Sequence, residues 1–132
     1  MRRSAVAAAR RWAVTERARN IHHVAVELPR TGDEFWALMQ SDVHWDNPKC
    51  DRDTLLEHLN EAREKDAPIF DNGDFYCAMQ GKWDKRANKN DLRPEHQHAN
   101  YLDRLIDTAV DFWQPYKDLL TVRGQGNPCG RF

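Results

Sequence analysis

The chain has 132 residues, 40% of them hydrophobic and 31% charged, with a formal net charge of −1. That length accommodates one core, and the composition is that of a globular rather than a disordered chain. The near-zero net charge excludes a global field steering the protein to nucleic acid or a membrane.

Charge is nevertheless uneven: Arg2, Arg3, Arg10, Arg11, Arg17 and Arg19 face a single acid, Glu16, within the first 19 residues. Residues 3–18 are rich in Ala and Arg without Gly or Pro, which predicts a helix. Residues 1–20 therefore read as a solvated basic helical arm, although an Arg-rich, acid-poor start is also the look of a transit peptide. No segment approaches the roughly 20 apolar residues of a membrane span. Cys50, Cys77 and Cys129 form no CxxC pair and are odd in number, so a reduced, cytoplasmic setting is expected.

"IHHVAVEL" (21–28) alternates and is β-branched, predicting a strand closed by Pro29, with His22 and His23 on opposite faces. "EFWALMQ" (34–40) predicts a short buried strand. Residues 51–65 predict an amphipathic helix with Asp53 as N-cap and Leu55, Leu56, Leu59 and Ala62 on one face. "APIFD" (67–71) predicts a strand before the turn-forming "DNGD". Residues 75–95 predict a long polar loop carrying Lys82, Lys85, Arg86, Lys89 and Arg93. Residues 96–116 predict a second helix, with Leu102, Leu105, Ile106, Ala109, Val110 and Trp113 at helical spacing and Pro115 ending it. His96 and His98 fall in its first turn. Leu119–Val122 predicts a last strand. The fold class expected is α/β, a parallel sheet with crossover helices.

In an open parallel sheet, ligands bind beyond the carboxyl ends of the strands. Three successive strand ends then carry "SDVHWD", "NGD" and "GQGN", delivering Asp42, His44, Asp74 and Asn127 to one edge. On an extended segment Asp42 and His44 would point the same way. Imidazole, carboxylate and amide oxygen form a donor set suited to Mn, Fe or Zn. Two such ions would clamp a phosphate and generate a nucleophile from water.

Asp42-x-His44, Gly73-Asp74 and Gly126-Asn127, in that order and each after a predicted strand, resemble the first three blocks of the calcineurin-like metallophosphoesterases. The resemblance covers residues 34–127. It implies a fold like the first half of that family's four-layer sandwich, with residues 21–132 as a partial domain. It also implies two divalent metal ions: Asp42 and His44 on the first, Asp74 bridging, and Asn127 on the second and on the phosphate. The implied reaction is hydrolysis of a phosphomonoester or phosphodiester, a nucleotide or nucleic acid among the candidate substrates, by a metal-bound hydroxide. Trp45 reads as a site-mouth residue that stacks on a base or sugar, and Lys82, Lys85 and Arg86 read as contacts to substrate charge.

The pattern breaks after Asn127. The family's catalytic His and its orienting acid are replaced by Pro128 and Cys129, and no later His block follows. The expectation is an N-terminal half cut short or frameshifted inside its third motif, with an incomplete second metal site and little or no turnover. Such a half would self-associate through an uncovered sheet face. The alternative is a non-catalytic module gripping nucleic acid through the basic arm and loop.

Overall fold

A computed structural model of the chain describes residues 9–77, 92–97 and 99–125. The chain divides into two compact units, one up to residue 35 and one from residue 36 onward.

The first unit is an antiparallel hairpin of β1 (Trp12–Ala18) and β2 (Ile21–Val26), joined by a two-residue turn at Arg19 and Asn20. The expected N-terminal helix is thus corrected across Trp12–Ala18, and residues 1–8 lie outside the described part. Helix propensity favours the Ala and Arg here. Trp12, Val14 and Thr15 also suit a strand, and pairing with the β-branched run Ile21–Val26 supplies partners for the inward-facing backbone groups. Trp12 is buried, yet His22 and His23, expected to be one buried and one exposed, are both exposed. A register shift between Glu16 and Ala18 marks a bulge.

The second unit holds a three-stranded parallel sheet, in the order β3 (Leu38–Gln40), β4 (Ile69–Asp71), β5 (Leu120–Arg123). Helix α1 (Arg52–Glu64) connects β3 to β4, and α2 (Tyr101–Trp113) lies between β4 and β5. The expected α/β class with a parallel sheet and intervening helices is what the chain forms.

Helix α1 begins at Asp51, not Asp53: the Asp51 carboxylate accepts from the Thr54 backbone N–H at 3.0 Å and from its hydroxyl at 2.8 Å. Both residues are acids at a helix start, and the one whose side chain reaches back to the third following amide is the cap. Leu55, Leu59 and Ala62 turn inward from this helix, with Leu56 half-buried. Arg63 near its end forks onto Asp118, at 2.6 and 3.0 Å, and Tyr116 donates to Asn60 at 2.6 Å.

Helix α2 starts at Tyr101, five residues later than expected, because Pro94–His96 form a separate 3-10 turn. It buries Leu105, Ala109 and Trp113 and leaves Leu102, Ile106 and Val110 exposed. A second 3-10 turn, Gln114–Tyr116, places Pro115 where the helix can no longer continue. The core gathers Leu55, Leu59, Ile69, Leu105, Trp113 and Leu119 around the sheet. The outer edge of the unit, at Trp36 and Met39, stays 52% and 61% exposed.

Candidate functional site

The loops leaving β3 and β4 run side by side beyond the sheet. The Asp42 N–H donates to the Gly73 carbonyl at 3.1 Å, His44 to Asp74 at 3.2 Å and Trp45 to Phe75 at 2.7 Å. Three backbone hydrogen bonds therefore extend the pairing of the two strands and carry Asp42, His44 and Asp74 to one place. Asp42 is exposed, and His44 and Asp74 are half-buried.

The backbone there is not extended. Asp42, His44 and Asp74 have φ of 54°, 46° and 55°, and Gly73 has 112°. The expectation that Asp42 and His44 sit on a straight segment is corrected: both adopt the left-handed conformation, on either side of Val43. Asp and His enter this region more readily than most residues, with some cost. Among the described residues only Asp66, just past α1, joins them as a left-handed residue other than glycine. The Ser41 hydroxyl donates to Asp42 Oδ2 at 2.9 Å.

Asp, His and Asp remain a donor set suited to a hard or borderline divalent ion. Their side chains, as oriented, do not form a ligand cluster: among the described residues no group of three or more His, Cys, Asp or Glu is arranged to hold a metal. Asn127, Lys82, Lys85 and Arg86 lie outside the described residues, as do Cys129 and His98.

Trp45 does not line a mouth. It is 2% exposed, stacked on Phe75 at 5.8 Å and covered by the Arg52 guanidinium at 4.1 Å. Arg52 also donates to the Trp45 carbonyl at 3.0 and 3.2 Å. The indole is a core element that pins the β3 loop, which corrects its expected role against substrate. Asp46 is buried too, accepting from the Cys77 N–H and from the Tyr101 hydroxyl. Burial, then the Asp46 charge, pushes the Tyr101 phenol up from its usual range. His96 is fully buried, with Nε2 2.8 Å from the Thr108 hydroxyl, and burial pulls its pKa down.

Beneath the two loops lies a polar row that the motifs do not contain. Gln40, Asp71 and Arg123 are register partners at the last positions of β3, β4 and β5. Asp71 is 1% exposed. Its Oδ1 accepts from the Gly73 N–H at 3.0 Å, its Oδ2 lies 3.5 Å from Arg123 Nε, and its carbonyl accepts from the Gly124 N–H at 2.6 Å. Burial pushes its carboxyl up, opposed by the Gly73 N–H, the Arg123 charge and the Gln40 amide. Gln40 stands beside the carboxylate, but neither end of its amide makes a hydrogen bond of sound geometry. Arg123 is itself held over the rings of Phe75 and Trp113, at 4.5 and 5.1 Å. The available signal was a polar residue closing each of three otherwise apolar strands.

No protein-family model, curated protein or solved structure matches the chain. No helix among the described residues is long and apolar enough to cross a membrane.

Proposed function

We propose that the strand-end edge of the second unit is a divalent-metal site of the phosphoesterase kind, in which Asp42, His44 and Asp74 are ligands and Asn127 is a fourth donor. The observation that carries this reading is the coincidence of backbone strain with the candidate ligands. Three of the four left-handed, non-glycine residues among those described are Asp42, His44 and Asp74. Such conformations cost about 1–3 kcal/mol each and concentrate at functional sites. The two bonds linking Asp42 to Gly73 and His44 to Asp74 hold the strained positions against each other.

In this reading Asp42, His44 and Asp74 would hold the metal. When bound, two divalent ions supply a nucleophile from water and neutralise charge on a phosphoester. Asn127 would add an amide donor. The sequence has Pro128 after Asn127, where the resembled family has a His that assists catalysis. General acid–base assistance contributes typically ~10²–10⁴-fold, so hydrolysis by this chain is expected to be slow.

Hydrolysis of bis(p-nitrophenyl) phosphate with and without Mn²⁺ tests the reading. The expected result is weak, Mn²⁺-dependent release of nitrophenolate that Asp74→Asn abolishes. Release that survives Asp74→Asn unchanged would come from elsewhere and sink the assignment.

A further inference from the structure

Asp71 is a buried carboxyl at the last position of the central strand, three residues before Asp74. Burying a carboxylate is costly unless its oxygens are used, and its contacts show what they are used for. One oxygen takes the N–H of Gly73, the other lies 3.5 Å from Arg123 Nε without a hydrogen bond, and the backbone carbonyl takes Gly124. Asp71 thereby connects directly to the ends of β4 and β5, and to the β3 loop only through Gly73 and Asp74. The bond to Gly73 closes an Asx-type turn, the local device that lets Gly73 and Asp74 take φ of 112° and 55°. The carbonyls of that turn are the acceptors for Asp42 and His44.

We infer that Asp71 is the positioning residue of the metal edge. Its carboxylate sets the Gly73–Asp74 turn, and the turn sets the backbone of Asp42 and His44. Arg123 from β5 places its charge 3.5 Å from the other oxygen, with its own guanidinium over Phe75 and Trp113. The inference deepens the metal-site reading and rests on it for its functional meaning, but the geometry it asserts exists without metal.

Two variants separate positioning from plain structural support. Asp71→Leu fills similar volume and removes the acceptor, at some cost in stability because Arg123 loses its acid. Asp71→Asn keeps an oxygen for the Gly73 N–H. Amide hydrogen exchange by NMR on the metal-free chain reads the result. Asp71→Leu is expected to lower protection of the Asp42 and His44 amides about tenfold or more relative to Ile69, whose N–H donates to Leu119. Asp71→Asn is expected to keep both near the wild-type value. Wild-type protection in Asp71→Leu, loss in Asp71→Asn, or an equal fall at Ile69 or global unfolding in Asp71→Leu would each overturn the inference. A parallel Mn²⁺ titration of the wild-type chain keeps the two ideas apart. Absence of Mn²⁺ binding there sinks the metal reading, while the exchange pattern still decides whether Asp71 sets the loops.

Discussion

The backbone N–H of His44 donates to the carbonyl of Asp74 at 3.2 Å, although the two residues lie on different strand-end loops. Both are left-handed. The bond ties the candidate ligands of β3 and β4 into one unit, so a disturbance of either loop is transmitted to the other.

Gly124 offers a way to disturb them from the third strand. A Cβ built there would meet the Asn72 carbonyl oxygen at 2.9 Å and its carbon at 3.0 Å, both backbone atoms that cannot rotate away. Gly124→Ala is expected to push the β4 loop outward and to cost about 1–3 kcal/mol, as overpacking does. Urea denaturation measures the cost, and an unchanged midpoint would show that the loop yields freely.

The core should respond to truncation more strongly than the edge. Leu59 is fully buried on α1. Leu59→Ala is expected to cost about 2–5 kcal/mol by lost transfer energy and the cavity left behind. Leu102→Ala, at a residue 52% exposed on α2, is expected to fall within about 0.5 kcal/mol of wild type. Equal losses in chemical denaturation would mean that the exposed stripe of α2 is covered in solution.

His96 makes stability depend on pH in a defined direction. Burial lowers its folded-state pKa below the ordinary 6.5, so the unfolded chain binds the proton more readily. The contribution of neutral His96 is fully present above 6.5 and is lost as pH falls through the lower folded-state value. Thermal melts between pH 8 and 5 should show this loss, and His96→Gln should flatten it. A slope that persists in His96→Gln would belong to other groups.

Trp45 should report on the core and not on ligands. Trp45→Phe keeps the stack on Phe75 but abandons the broad face under Arg52. Its expected effect is a stability loss of about 1–3 kcal/mol in denaturation, with nucleotide or phosphoester affinity unchanged. A selective loss of ligand affinity would return the indole to the site.

Much of the second unit was legible because its signals are local and agree with one another. Leu55, Leu59 and Ala62 recur at helical spacing after a capping acid, and short apolar runs alternate with helices, which gives a parallel sheet. The strand-end placement of Asp42, His44 and Asp74 follows from that order. The hairpin's second strand, Ile21–Val26, was legible from its alternation, but its first was not, because the Ala and Arg of residues 12–18 favour a helix until pairing decides otherwise. Nor could spacing reveal that Asp42 and His44 are left-handed, since that conformation is imposed by bonds to a loop some 30 residues away in sequence. Asp71 escaped for a related reason: in "DNGD" an acid reads as a turn former, and only its burial against Arg123 shows a second use.

The central claim is that Asp42, His44 and Asp74 together hold a divalent ion. Calorimetric titration of the chain with Mn²⁺, beside His44→Ala and Asp74→Asn, tests it most directly. The account predicts saturable binding by the wild-type chain, weakened about tenfold or more in each variant, the scale seen when a metal site loses a supporting group. Absence of binding by the wild-type chain, or binding that both variants retain undiminished, would contradict it.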